Sequence, residues 1–264
     1  MLNGLYVTEP KTLIIPPEAP NLLDNESWGI CEIDGLGRPE AEQLYTTELV
    51  GADASIYSGQ SVKSRIVTLS VDAQDEYSMR ALYKQFPYNT KRRLIFETEY
   101  DTYFIDCIAK GMPRTQGISN RAEFEISIFC PYPWFRSLRP HKKNFTFGDA
   151  VDIEQDGDIC AGVRIYANLG LTEKLTNFSI SDQTGNKITY ESDIAYIPAA
   201  AGNRLLIDTT PGAHAFLRLK DVQNIRIKNN WVTVPVGERT TITTSINAVN
   251  ASGTIEWYDT WSGI

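Results

Sequence analysis

The 264-residue sequence predicts a mainly β protein of two domains, each an antiparallel β-sandwich, with one α-helix in the first domain. Three observations predict this class. The chain is longer than one typical domain of roughly 100–150 residues. It is rich in the aromatic residues that favour sheets, with Tyr 13, Phe 10 and Trp 5. Short segments of alternating apolar and polar residues recur, separated by Gly, Asn and Asp. We place the domains at 1–136 and 137–264.

The first segment of the chain, residues 7–27, predicts an extended arm. Its four prolines, at positions 10, 16, 17 and 20, exclude a helix and a central strand. The apolar side chains of this arm must pack on the body of the fold or on a neighbouring subunit. The candidates for a subunit-crossing arm are Leu13, Ile14, Ile15, Leu22 and Leu23.

A strand followed by a helix is predicted next. Apolar residues at period two in "RIVTLSV" (65–71) indicate a half-buried strand. The helix is predicted near 73–86, with Asp72 as its N-cap, Asp75 in its first turn and Pro87 as its stop. One apolar stripe supports the helix, at spacings of three and four residues: Met79, Leu82, Tyr83 and Phe86.

A hairpin and a further strand complete the first domain. "RRLIFETE" and "YFIDCIAKG" are joined through 100–102, and "RAEFEISIFC" (121–130) alternates cleanly. Cys130 is the last inward-facing residue of that strand, so a small buried hydrophobe explains it without chemistry. No basic residue or helix start adjoins it in the sequence, which disfavours a reactive thiol.

The stretch "CPYPWF" (130–135) ends this strand abruptly and is predicted to be a rigid joint between the two domains. The prolines stop the strand, and after Pro140 the sequence shows only short strand patterns separated by turns. An aromatic platform for sugars is the competing interpretation, and packing between two β-layers is favoured over it. The predicted joint residues are Cys130, Pro131, Pro133, Trp134 and Phe135.

The second half shows only short strand patterns between Gly, Asn and Asp turns, typical of an antiparallel β-sandwich. Polar residues at 136–143 suggest a solvated connection to it. The aromatic residues near the C-terminal end are expected to close this sandwich or to lie back on the joint. In the alternative function, a carbohydrate-binding module for host wall glycans, the stacking residues would be Trp231, Trp257 and Trp261.

Catalytic, cofactor and metal motifs are weak throughout. "DIEQDG" matches the start of a calcium loop, but its twelfth position is Val163 where a bidentate Glu is needed. The two histidines lie in no metal or triad motif, and the four cysteines form no CxxC pair. We therefore predict no catalytic residues, no cofactor and no metal. A small glycan hydrolase remains a third hypothesis, because paired carboxylates on separate strands leave no spacing signal.

The net charge, the N-terminal sequence and the length of the apolar stretches limit the classes of partner that we expect. A net charge of −8 disfavours nucleic-acid binding, although it suits a channel through which DNA passes without sticking. The N-terminus does not have the features of a signal peptide, and no apolar stretch reaches the roughly 20 residues of a membrane span. We expect folding in a reducing cytosol and no membrane insertion.

Several motifs together resemble the distal tail proteins of long-tailed bacteriophages and prophages. "CPYPWF" is the most specific of them, and it follows a strand of the "YFIDCIAKG" type. The others, in chain order, are "IDGLGRP" (33–39), "VGADASIYSGQSVKSRIVTLSVDA" (50–73) and the closing "IEWYDTWSGI" (255–264).

The resemblance implies a structural protein of the virion tail tip without enzymatic activity, assembled in the cytoplasm of the host bacterium. It implies a hexameric ring formed by the N-terminal domains at the distal end of the tail tube. The ring would join the tail tube protein to the tail-associated tip, baseplate and fibre proteins. The second domain would be galectin-like or similar to a carbohydrate-binding module, and DNA would pass through the bore.

Overall fold

The structure is a computed structural model. It describes residues 1–10, 12–39, 43–48, 55–61, 64–111, 122–168, 174–175, 177–191, 197–198, 204–210, 215–218, 223–224, 228–229, 232–246 and 252–264.

One helix and nine strands lie in the first part of the described chain. They are β1 (Leu2–Thr8), β2 (Trp28–Asp34), β3 (Gln43–Glu48), β4 (Ser55–Ser61), β5 (Arg65–Ala73), α1 (Glu76–Gln85), β6 (Lys91–Thr98), β7 (Thr102–Gly111), β8 (Ala122–Cys130) and β9 (Phe135–Ser137).

Fifteen further strands follow in the described residues. They are β10 (His141–Thr146), β11 (Ala150–Ile153), β12 (Ala161–Asn168), β13 (Lys174–Leu175), β14 (Asn177–Ser181), β15 (Lys187–Glu191), β16 (Ile197–Pro198), β17 (Arg204–Asp208), β18 (Ala215–Arg218), β19 (Gln223–Asn224), β20 (Lys228–Asn229), β21 (Thr233–Val234), β22 (Thr240–Ile246), β23 (Ser252–Trp257) and β24 (Thr260–Trp261).

The prediction of a mainly β protein with antiparallel sheets and one helix is confirmed within these residues. Backbone contacts divide the chain into two compact units. The first unit is Met1–Leu138 together with Trp261–Ile264, and the second is Arg139–Thr260. The sequence analysis placed all of 137–264 in a second domain, whereas the contacts assign the last four residues to the first unit.

The first unit is built on one antiparallel sheet in the order β1-β6-β7-β8-β5-β2. β9 pairs with β7 and β24 pairs with β9, while β3 and β4 form a separate hairpin. The inward side chains of β5 and β8 alternate as predicted, and together with residues from β1, β6, β7 and α1 they form one apolar core. Residues 99–101 join β6 and β7, so the turn lies one residue earlier than the predicted 100–102. The pairing of the two strands extends from Lys91↔Ile108 to Glu97↔Thr102.

The helix starts later than the sequence suggested. Asp75, not Asp72, is the N-cap, and its carboxylate accepts a hydrogen bond from the Ser78 backbone N–H at 2.7 Å. Asp72 instead lies in β5, which continues to Ala73 because it pairs there with β2 and β8. Sheet pairing on both sides therefore outweighs the capping preference of Asp72. Met79, Leu82 and Phe86 are buried in the core as the stripe predicted.

The described part of the second unit contains two antiparallel sheets whose inner residues form one core, and a separate two-stranded antiparallel pair of β13 and β16. The first sheet has the order β10-β23-β12-β17-β18-β19, with β21 beside β12, and the second has the order β11-β22-β14-β15-β20. Residues of both sheets meet in the core, for example Ile165 of β12 and Ile242 of β22. The stretch expected to be a solvated connection contains β9 and β10, and Arg136 within it is buried.

The turn between β14 and β15 gives the second unit a pH-dependent element. Burial acts to raise the pKa of Asp182, but hydrogen bonds from Thr184 and Asn186 outweigh it and hold that pKa below its usual value. The stabilisation is therefore present above about pH 4 and is lost as the pH falls through the lowered pKa.

We expect the turn at 182–186 to lose about 1 kcal/mol of local stability between pH 6 and pH 2. Backbone amide exchange of the turn, compared between the wild type and Asp182→Ala, measures this loss. The substitution should remove most of the pH dependence. Equal turn stability at both pH values in the wild type would contradict the assignment.

Candidate functional site at Arg65

Arg65 occupies a core-facing position at the start of β5. In β5 the buried positions alternate, and Arg65 is in phase with Val67, Leu69 and Val71. Its partner across the sheet is Cys130, the last residue of β8. Only 4% of the Arg65 surface is exposed. The sequence signal is a charged residue in the inward phase of a strand, and the sequence analysis assigned Arg65 no role.

The Arg65 guanidinium is held by backbone carbonyls from three separate segments. Nη1 donates to the carbonyls of Gly35 and Gly37, Nε donates to Pro133, and Nη2 donates to Ser262, at distances of 2.5 to 2.7 Å. Burial lowers the pKa of Arg65, although an arginine stays charged in proteins. Hydrogen bonds from a charged donor are about twice as strong as neutral ones, so this residue binds the three segments tightly.

An aromatic ring covers the same guanidinium. Phe135 lies beneath Arg65, with 4.5 Å between the guanidinium carbon and the ring centroid. Phe135 is fully buried and packs edge-on against Phe96 at 5.5 Å. The "CPYPWF" stretch thus supplies both a carbonyl acceptor and a cation–π partner to Arg65.

The turn after β2 has room for no side chain at Gly35. Gly35 has φ +85°, and a Cβ there would lie 2.2 Å from the Ile66 carbonyl oxygen. Glycine is the residue that tolerates this backbone conformation and this close approach. The turn thereby presents the carbonyls of Gly35 and Gly37 to one side chain. This explains Gly35 of "IDGLGRP" in physical terms, whereas a Cβ at Gly37 would meet no heavy atom within 4 Å.

The last residues of the sequence pack beside this turn. The Ile264 N–H donates to the Leu36 carbonyl at 3.1 Å, and Arg38 Nε donates to Ser262 Oγ at 3.1 Å. The Trp261 ring meets Tyr103 edge-on at 6.1 Å. Three of the motifs that carry the family resemblance therefore meet at Arg65: "IDGLGRP", "CPYPWF" and the closing "WSGI".

A second arginine cluster ties the proline-rich arm to the sheet. Arg93 and Arg136 both bind Asp106, each with a shortest contact of 2.7 Å. Both guanidinium carbons also lie over the Phe104 ring, at 3.8 and 4.3 Å. Arg93 Nη1 donates in addition to the Thr12 carbonyl at 2.7 Å, which anchors the arm.

The arm residues separate into two groups. Leu22 is fully buried in the core of the first unit and Leu23 packs against that core. Leu22 therefore stabilises its own unit, which corrects its assignment as a subunit-crossing residue. Ile15 is half-buried, while Leu13 is 37% and Ile14 70% exposed. Leu13 and Ile14 are the arm residues that stay available to a neighbour.

The predicted joint residues lie largely inside the first unit. Cys130 and Phe135 are core residues of that unit, and Pro133 is also buried. Trp134 is half-buried and Pro131 is exposed. The role of this stretch as a joint between domains stays a prediction.

The reactivity of the four cysteines is expected to follow the burial of their side chains. Burial raises the pKa of Cys130 to about 12 and also raises that of Cys107, whereas Cys31 and Cys160 are exposed. We expect a thiol reagent at pH 8 to label Cys31 and Cys160 in the native protein and all four cysteines after denaturation. Peptide mapping of the labelled protein measures this. Fast native labelling of Cys130 would revive a reactive-cysteine role.

The candidate glycan-stacking tryptophans are placed differently from one another. Trp257 is only 7% exposed, stacks on His141 at 5.3 Å and donates from Nε1 to the Glu154 carbonyl. Its ring therefore serves the fold of the second unit. Trp261 is half-buried in the first unit, and Trp231 lies outside the described residues.

Asp152, in the "DIEQDG" stretch that matches the start of a calcium loop, binds other side chains. Thr241 Oγ1 donates to Asp152 at 2.6 Å and Arg239 pairs with the same carboxylate, which lowers the pKa of Asp152. In the described part of the chain, no group of three or more His, Cys, Asp or Glu side chains is placed to hold a metal ion. The described helix is not long and apolar enough to cross a membrane.

Comparisons with known proteins give a likeness of fold over nearly the whole chain. No family model matches the sequence, and no curated protein matches it. The solved structure of the SPP1 Dit protein (gp 19.1) matches with a TM-score of 0.62 at 10% identity, covering 97% of this chain and 98% of that one. That protein is described as a paradigm of the hub adsorption apparatus in phages that infect Gram-positive bacteria.

Two structures of the phage P2 baseplate in its activated conformation also match. The structure with Ca has a TM-score of 0.54 at 10% identity, and the one with Sr has 0.53 at 9% identity. Each match covers 96% of this chain and 97% of the other. The resemblance inferred from the motifs is thus confirmed at the level of structure: the chain has the fold of phage hub and baseplate proteins.

Proposed function

We propose that this protein is a structural, non-enzymatic component of a phage tail tip. It forms a hexameric ring at the distal end of the tail tube and joins the tube to the tip, baseplate and fibre proteins. The likeness of fold carries this proposal, because it extends over both units and covers 97% and 98% of the two chains compared. Fold alone does not fix function, so oligomer formation is the property to test.

The first unit carries two neighbouring features that we propose take part in a head-to-tail contact between copies. One is the exposed pair Leu13 and Ile14 on the arm. The other is a groove of about 440 Å³. The groove is lined by Val7, Thr8, Glu9, Thr12, Pro16, Glu18, Ala19, Pro20, Gln85 and Arg92. A heterologous contact uses two different patches of the same chain and closes into a ring when the rotation allows it.

The charge of the chain agrees with the partners we propose. At −8 the protein repels DNA, so a bore lined by it would let DNA pass without a specific contact. The partners we propose are other copies of the chain, the tail tube protein and the tip or fibre proteins. Assembly would take place in the host bacterial cytoplasm, and the ring would end up at the virion tail tip.

No observation in the described residues favours the carbohydrate-binding alternative. The one candidate stacking residue described in the second unit, Trp257, is buried against His141. A sugar platform needs an exposed aromatic face, and this ring offers little. We therefore keep the structural role as the single proposed function.

Mass measurement in solution, with and without the tail tube protein, tests the proposal. We expect a hexameric species at micromolar concentration and a larger complex when tube protein is added. A chain that stays monomeric at high concentration and ignores tube protein would count against the proposal.

A further inference from the structure

We propose that the residues around Arg65 form a binding site for a Trp-Ser-Gly-Ile peptide. The chain fills the site in cis with its own residues 261–264, and a separate peptide of the same sequence can fill it in trans when those residues are displaced. The inference concerns the first unit alone and does not depend on the proposed role in the tail.

The receptor side of the site consists of residues outside 261–264. β5 supplies Arg65, the turn after β2 supplies the carbonyls of Gly35 and Gly37, and Pro133 supplies a further acceptor. These three contacts leave Nη2 of Arg65 for the Ser262 carbonyl. A buried charged donor without its acceptor is costly, so the site gains free energy when a peptide carbonyl arrives.

The ligand side is recognised mainly through its backbone. Arg65 binds the carbonyl of Ser262, while the Ile264 N–H donates to the Leu36 carbonyl. Arg38 Nε adds a contact to Ser262 Oγ. The flanking side chains are apolar: Trp261 meets Tyr103 edge-on, and Ile264 packs against the core.

Gly263 gives the site its selectivity. A Cβ at this position would lie 3.0 Å from the Arg38 nitrogen, the Gly37 carbonyl carbon and the Leu36 carbonyl oxygen. All three are backbone atoms of the turn, so the turn itself would have to shift to make room for a side chain. The site therefore accepts glycine here and rejects a β-branched residue.

The order of synthesis gives this binding event a consequence. Residues 1–138 leave the ribosome first, and the peptide that completes their unit comes 122 residues later, after the second unit. The first unit is thus finished last, by the peptide at 261–264. A chain interrupted within the second unit keeps an unfilled Arg65 site.

The full-length chain with Gly263→Val tests the proposal, and Gly29→Val is the matched control. Gly29 also lies in the first unit, and a Cβ there would meet no heavy atom within 4 Å, so we expect this position to tolerate valine. We expect backbone amides at 35–38 to exchange about ten- to a hundredfold faster in Gly263→Val, and amides of β12 and β23 to stay unchanged. Gly29→Val should match the wild type.

A fluorescent Thr-Trp-Ser-Gly-Ile peptide measures the site in trans. We expect saturable binding to Gly263→Val, which restores slow exchange at 35–38, and no binding to the wild type or to Gly29→Val. The double variant Arg65→Met/Gly263→Val and a peptide with valine in place of glycine should both fail to bind. If Gly263→Val unfolds the first unit, the milder Gly263→Ala replaces it.

Unchanged exchange at 35–38 in both Gly263 variants would overturn the proposal. So would equal peptide binding by the wild type and Gly263→Val, or binding that survives the loss of Arg65.

Discussion

Replacing Arg65 by methionine is expected to lower the free energy of unfolding of the first unit by about 3–5 kcal/mol. Methionine has a similar apolar volume but removes every donor, so four backbone carbonyls lose their partner. Each buried acceptor left unsatisfied costs about 1–3 kcal/mol, and water entering the site recovers part of that cost. The second unit should keep its stability, because the described residues that bind Arg65 lie in the first unit.

Amide hydrogen exchange resolves the two units and is therefore the suitable measurement. A single unfolding curve would mix them, since a chain of two units need not unfold in one step. Arg80→Met is the matched control: this arginine lies on the exposed face of α1 and pairs with Glu76. Arg65→Lys should recover part of the loss, because lysine keeps the charge without the planar fork. A loss below about 1 kcal/mol for Arg65→Met would contradict the account.

The double substitution Leu13→Asp/Ile14→Asp is expected to abolish ring formation without unfolding the protein. Burying an aliphatic side chain contributes about 1.5–3 kcal/mol, and the substitution also places two carboxylates at every contact of the ring. Together these effects should weaken each contact at least about a thousandfold. The first unit should keep its fold, since both side chains are exposed in the single chain.

Mass photometry at matched concentrations measures this effect. Val236→Asp is the control, because Val236 is a similarly exposed aliphatic residue that lies in the second unit. We expect the control to assemble like the wild type and the double variant to remain monomeric. Intact rings from the double variant would show that the arm does not form the contact.

Local patterns carried most of the correct sequence predictions. The alternation in "RAEFEISIFC" placed Cys130 in the core because the side chains of a strand alternate between its two faces. The apolar stripe from Met79 to Phe86 located α1, because residues three and four positions apart lie on the same face of a helix. The N-cap of α1 was predicted at Asp72 instead of Asp75 because β5 pairs with β2 and β8 as far as Ala73. Residue propensities alone do not reveal such pairing.

Which segments meet at the candidate site could not be predicted, because they lie far apart in the sequence. Arg65 is separated from Ser262 by 197 positions, and no periodicity links them. The motifs "IDGLGRP", "CPYPWF" and "WSGI" were each recognised separately as family markers. In the structure all three segments bind the same buried guanidinium, that of Arg65. A charged residue in the inward phase of a strand is the sequence signal that would have pointed to it.

Electron microscopy of the purified protein in top view tests the central claim most directly. The account predicts closed rings with sixfold symmetry, formed by the wild type and lost in Leu13→Asp/Ile14→Asp. Single particles of monomer size at high concentration, with no ring even after addition of tail tube protein, would contradict it.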